Sequence, residues 1–169
     1  MNKIACWSVL LSAVVTVQVA VAQSTPNLAK SPDDAASKMS LMLSPYTYHY
    51  NPKPTHRHVI LVGLEREYPN GKLDGAALFT NSFGQPSVVV YPWGGVYKSI
   101  WGVDKLSFKW IAGVLVGYRG EFKNQVPNIG GIAPAVIFAL GYEFHPGWVA
   151  QINAVGTAAA QFQLNVKLD

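Results

Sequence analysis

From residue 43 to the C-terminus, Gly, Pro and Asn cut the chain at regular intervals into short runs rich in Val, Ile, Tyr, Phe and Trp. That punctuation leaves room for strands and none for long helices. Eight strands are read, at about 43–51, 57–68, 72–81, 87–99, 105–119, 129–143, 147–156 and 159–168. No helical period of comparable length competes with them. The last run is the most explicit: Phe162, Gln163, Leu164, Asn165, Val166, Lys167, Leu168 and Asp169 alternate strictly between apolar and polar. Such a strand suits one face in lipid and the other on a polar lumen. Aromatic residues gather near strand ends, among them Tyr46, Tyr48, Tyr50, Tyr68, Trp93, Trp101, Tyr142 and Trp148, as in the girdles of membrane barrels. The fold class is therefore all-β, an eight-stranded antiparallel outer-membrane β-barrel over residues 43–169. A soluble secreted or periplasmic barrel is the alternative.

The segment ahead of the strands fits this assignment. Lys3 precedes an apolar run from Ile4 to Val17, and Ala20-Val21-Ala22 supplies a small-x-small cleavage pattern. Residues 1–22 are thus expected to be a cleaved signal peptide, with the mature chain starting at Gln23. Residues 23–42 are polar and small before gaining apolar character at Met39, Leu41 and Met42. They read either as a leader or as a short amphipathic helix at a membrane surface. The outer membrane of a Gram-negative bacterium is the expected location, and a monomer the expected state.

At 169 residues the chain is the size of one domain. Cys6 is its one cysteine and lies inside the segment to be removed, so the exported protein is expected to carry no disulfide. Its position early in the apolar run also disfavours a lipoprotein. Removing Lys3 from the 13 basic residues leaves a modest excess over 9 acidic ones, with no basic cluster denser than His56-Arg57-His58. Nucleic-acid binding needs a concentrated patch and is set aside.

Counting strands up and down places the links "NPKPTHR", "SFGQP", "GEFKNQVPN" and "GT" on one rim, and "PNG", "WGVDK" and "HPG" on the other. The Asn-Gly pair in "PNG" makes a tight hairpin turn. The first rim is the outward one if the mature N-terminus starts inside. On it, His49 near the end of strand one and Asn81-Ser82 at the end of strand three are separated by one strand. Two strand spacings put their backbones about 10 Å apart, within reach of a shared substrate. A histidine and a serine so placed are a candidate acyl-transfer pair.

Other polar residues read less sharply. His56 and His58 are two apart with no carboxylate or cysteine beside them, so a solvated loop is favoured over a metal site, and no metal or cofactor is indicated. His145 falls on the opposite rim. Glu65 and Arg66, toward the inner end of strand two, are expected to pair inside the lumen. Arg119, Glu121 and Lys123 lie on the longest outward loop, where they either grip lipid phosphates or remain solvated.

"LSPYTYHYN" followed by "GLEREYPNGKLDGAALFTNSF" resembles the opening of the lipid A palmitoyltransferase (PagP) family. There, a histidine on the first strand precedes a Gly-Leu-x-Arg strand, a tight turn, and a third strand running through an aromatic residue into Asp-Ser. The matching residues are His49; Gly63, Leu64 and Arg66; Gly75, Phe79 and Ser82. "PNIGGIAPAVIFALGYEF" is similar to the family's proline-interrupted sixth strand. The likeness covers residues 41–144 loosely and is sharp around His49 and Ser82. The family's aspartate position holds Asn81; an amide orients or donates a hydrogen bond but cannot stabilise an imidazolium by charge.

The resemblance implies transfer of a palmitoyl chain from a phospholipid donor to a lipid A acceptor, with His49 and Ser82 catalytic and Asn81 assisting, for instance as an oxyanion donor. It implies an acyl-measuring slot inside the barrel, suited to Gly75, Ala76, Ala77, Gly113 and Gly117, whose floor falls between Val90 and Gly95. It also implies that wall prolines, for which Pro86, Pro92, Pro127 and Pro134 are candidates, weaken the ladder and admit lipid sideways. A non-catalytic lipid-binding or structural barrel remains the alternative, since a carboxylate is missing.

Overall fold

Side-chain alternation sets the register of every strand. The computed structural model describes residues 37–168, so the expected signal peptide and residues 23–36 of the expected leader or amphipathic helix over 23–42 lie outside the described residues. The strands are β1 (Lys38–His49), β2 (Leu61–Glu67), β3 (Leu73–Thr80), β4 (Pro86–Lys98), β5 (Leu106–Val116), β6 (Ile132–His145), β7 (Trp148–Val155) and β8 (Ala159–Leu168). Each pairs antiparallel with the next, and β8 returns to β1 to close the barrel. Closure gives every strand a paired neighbour on both sides. Among the described residues, no helix is long and apolar enough to cross a membrane.

The strand expectations hold with shifts at the N-terminal end and around the β5–β6 loop, where β5 stops at Val116 rather than 119 and β6 starts at Ile132 rather than 129. Met39, Leu41 and Met42, assigned above to the leader or amphipathic helix, belong to β1. Their Ser40-Leu41-Met42 alternation continues the strand, and β1 gains partners on both sides, as in Met42↔Gly63 with β2 and Met42↔Asn165 with β8. Strand two starts four residues late, at Leu61, because residues 57–60 join the rim loop.

The outward face carries exposed large apolar side chains on nearly every strand, such as Leu64, Leu78, Val90, Val136, Phe138 and Ile152. The lumen has a polar side and an apolar side. Toward the lower rim, where β2 meets β3, Glu65 is ion-paired with Lys109 and accepts a hydrogen bond from the Tyr91 hydroxyl at 3.2 Å. Beside them Gln151, Asn153, Gln161, Gln163 and Asn165 are buried and linked amide to amide. Facing these amides lies an apolar cluster of Met42, Leu61, Ala77, Val89, Tyr91 and Ala135, with Phe79, Ile111 and Leu115 packed against it.

Two lumen expectations are corrected. Glu65 and Arg66 do not pair: adjacent strand residues face opposite sides, so Glu65 turns inward while Arg66 binds Asp74 at 2.8 Å on the outside. The small residues do not leave an open slot either. A Cβ at Gly75 would strike the Tyr91 hydroxyl, one at Gly113 would strike the Tyr91 backbone and Cβ, and one at Gly117 would strike Ser87. Ala76 points outward. These residues are small to admit Tyr91 and close strand neighbours.

Candidate active site

The upper rim is built by a mismatch in strand lengths. β1 pairs with β2 only as far as Ser44↔Leu61, yet stays paired with β8 to His49↔Ala159 after a register shift between Leu43 and Tyr46. Pro45 stands inside that shift, where a residue without an N–H interrupts the ladder at least cost. Above Ser44, β1 therefore follows β8, and residues 57–60 follow β3. The Thr80 amide donates to Ile60 O at 3.0 Å, and the Arg57 amide donates to Ser82 O at 2.7 Å. The Ile60 amide donates to Thr80 Oγ1 at 3.1 Å, which in turn donates to His58 O at 3.2 Å.

Across this gap the expected pair meets. His49 Nε2 lies 2.7 Å from Ser82 Oγ. His49 is the last residue of β1 and Ser82 the second residue past β3; both are half-buried. A neutral imidazole with an unprotonated Nε2 accepts the Ser82 proton in this geometry, which is the arrangement of a base and its nucleophile.

Asn81 serves differently from the expectation. It is 0% exposed, and its Oδ1 accepts from the amides of Phe83 and Gln85, both at 3.0 Å. Its Nδ2 donates to Gln85 Oε1 at 3.3 Å. The carboxamide is thus committed to the turn that presents Ser82, as Asn side chains commonly are in such turns, and is not directed at a developing oxyanion. Gln85 continues the network: its Oε1 accepts from the Arg119 amide at 3.0 Å and its Nε2 donates to Arg119 O at 3.1 Å.

That clamp sets Tyr118 beside Ser82. Burial pushes the Tyr118 phenol up, and the neighbouring Ser82 hydroxyl pulls it part of the way back. Below His49 on the same inward row, Thr47 Oγ1 is the one buried side-chain polar atom without a partner among the described residues. Sequence reasoning passed over Thr47, Gln85 and Tyr118. A Thr two positions before the histidine was the available signal for Thr47, because residues i and i+2 share a face of a strand.

His56 is a second correction. It is half-buried, not solvated, with its ring centroid 4.4 Å from that of His49 and 5.6 Å from that of Phe83. His58 is exposed. Among the described residues no group of three or more His, Cys, Asp and Glu could hold a metal ion.

The expected substrate contacts are only loosely gathered. Arg119 and Lys123 are exposed on the loop between β5 and β6, Arg119 being anchored through its backbone. Pro127 is exposed in the same loop, and Pro86 begins β4 opposite Thr80. Pro92 sits in the register shift of β4 against β5, between Val90 and Trp93. Pro134 lies above Phe138↔Ala154, the last β6–β7 pair, where β6 continues without β7. Compared with known proteins, the chain matches no protein-family model and no curated protein sequence.

Proposed function

We propose that this chain is an outer-membrane acyltransferase moving a palmitoyl-type chain from a phospholipid to lipid A. The observation that carries the reading is the 2.7 Å contact between His49 Nε2 and Ser82 Oγ on the rim of a barrel whose outer wall is apolar. Two routes use this contact. In one, Ser82 Oγ attacks the phospholipid ester carbonyl as His49 takes its proton, the lysophospholipid alkoxide leaves with that proton, and a lipid A hydroxyl then attacks the acyl-serine. In the other, the lipid A hydroxyl gives its proton to His49 and attacks the ester carbonyl directly while Ser82 holds it, and the lysophospholipid alkoxide leaves with the proton that His49 returns. Arg119 and Lys123 stand on the rim loop where lipid phosphates would meet them.

The apolar side of the lumen, along Met42, Leu61, Val89 and Ile111, supports the reading, although it faces Gln151, Asn153, Gln161 and Gln163. Its free volume does not: the cavity among Met42, Leu61, Ala77, Val89, Tyr91 and Ile111 is about 40 Å³, against roughly 300–1,000 Å³ for a pre-formed ligand pocket. An acyl chain enters only by displacing side chains, of which Met42 is the most adaptable. This tightness favours the second reading, a non-catalytic lipid-binding or structural barrel. That reading has its own surface feature in an apolar groove of about 600 Å³ on the outer wall, bordered by Tyr50, Trp101, Phe108, Phe138 and Ile152.

Mass spectrometry of lipid A from a Gram-negative host separates the two. Wild type, His49→Ala and Ser82→Ala are expressed at matched membrane levels. Acyltransfer predicts one added saturated chain with the wild type alone; unchanged lipid A in all three, with every barrel folded, overturns it.

A further inference from the structure

Among the described residues His49 has no carboxylate partner, its hydrogen bond being to Ser82, and the position where the resemblance places a carboxylate is an asparagine turned into its own loop. A neutral imidazole that serves as a base still has to be held at the correct angle. The side chain packed against it is His56, at 4.4 Å between ring centroids and 39° between planes. The edge of His56 meets Phe83 at 5.6 Å, and Phe83 stacks on Phe122 at 4.2 Å and 10°. A continuous row of rings thus runs from the end of β1 across three rim loops. The neighbouring residue ties the same segment to the other half of the pair, because the Arg57 amide donates to Ser82 O at 2.7 Å. The His56-Arg57 dipeptide therefore touches both His49 and Ser82. His56 Nδ1 accepts from the Lys53 amide at 3.4 Å.

We propose that His56 is a positioning residue that takes over the orienting role of the absent carboxylate, fixing the His49 ring by packing rather than by charge. The proposal rests on the acyl-transfer reading for its consequence in rate, but its geometry stands apart from the identity of the substrate. Ring packing is a property phenylalanine shares and alanine lacks. This distinguishes it from a metal-ligating or proton-carrying histidine, for which phenylalanine is as damaging as alanine.

The test uses the full-length mature protein, folded in detergent micelles, as wild type, His56→Phe and His56→Ala. Long-range proton–nitrogen NMR spectra of the imidazoles at neutral pH report the His49 tautomer directly. Wild type and His56→Phe are expected to show a single His49 tautomer with Nε2 unprotonated, and His56→Ala a mixture. With phospholipid donor and lipid A acceptor, His56→Ala is expected to lower kcat about tenfold at nearly constant KM, as misplacement of a catalytic group does, and His56→Phe to restore most of it. A single tautomer and unchanged kcat in His56→Ala overturn the proposal, as does a Phe variant indistinguishable from Ala. If the spectra follow the expected pattern while wild type transfers no acyl chain, the positioning role stands and the acyltransferase reading falls.

Discussion

His49 Nε2 lies 2.7 Å from Ser82 Oγ although the two residues are 33 positions apart in the chain. The contact spans the top of β2, which ends its pairing with β1 at Leu61, so the pair depends on β2 stopping short. Replacing either partner by Ala removes the proposed base or nucleophile while leaving strand pairing intact. Acyl transfer is expected to fall by about 10²–10⁴ for His49→Ala, and comparably for Ser82→Ala, with unfolding in urea unchanged. Transfer rates in lipid vesicles check the first statement and denaturation midpoints the second.

Asn81→Asp would put a carboxylate into the turn that presents Ser82. The buried carboxylate would face Gln85 Oε1 in place of the present donor contact. Gln85 cannot turn its amide over to help, because both of its ends are engaged by the Arg119 backbone. The substitution is expected to destabilise the rim by about 1–3 kcal/mol, the cost of leaving buried polar groups unsatisfied, and to lower transfer. A gain in transfer rate would show that the loop reorganises around a charge.

Thr47 keeps a buried hydroxyl without a partner one inward position below His49. An unsatisfied buried hydroxyl costs about 1–3 kcal/mol, so Thr47→Val, nearly the same shape, is expected to stabilise the barrel by about that amount. If the hydroxyl meets the substrate carbonyl, the same variant also loses transfer. Urea midpoints and rates measured on one preparation test both parts.

Glu65 and Lys109 are ion-paired at 6% and 10% side-chain exposure. Lys109→Met leaves Glu65 buried with the Tyr91 hydroxyl as its remaining close partner and is expected to cost roughly 3–5 kcal/mol. Adding Glu65→Leu should recover most of it, because an apolar pair of similar volume carries no desolvation penalty. Wild-type stability in the Lys109→Met variant would show that the pair contributes nothing to the barrel.

Tyr118 sets an alkaline limit. Burial raises its phenol above the ordinary value despite the Ser82 hydroxyl, so the folded protein holds that proton longer than the unfolded chain. Its contribution is fully present below the unfolded value of about 10 and is lost as pH rises through the folded one. Stability should therefore decline from about pH 10 upward, and Tyr118→Phe should flatten that decline relative to wild type. Denaturation midpoints across the alkaline range decide the matter.

The barrel was legible in the chain because its signal is local. Period-two alternation in β8 puts Gln161, Gln163 and Asn165 inward and leaves Phe162 and Leu168 outward, and each strand reports its own faces through its neighbours in sequence. His49 and Ser82 were legible for a related reason, since strand order alone puts them on one rim. What the sequence could not reveal depends on register and on contacts across loops. The resemblance implied small residues for a lumen slot, but closure brings the Tyr91 hydroxyl over Gly75 and the Tyr91 backbone against Gly113. The sequence paired Glu65 with Arg66 as neighbours, but pleating sends them to opposite sides of the wall. It placed Asn81 and His56 by position along the chain, whereas the turn at 81–85 and the fold of residues 50–60 decide where their polar atoms go. Alternation is fixed by the backbone one residue at a time, while the rim is fixed only when strands of unequal length are closed into a ring and their loops must pack over the end.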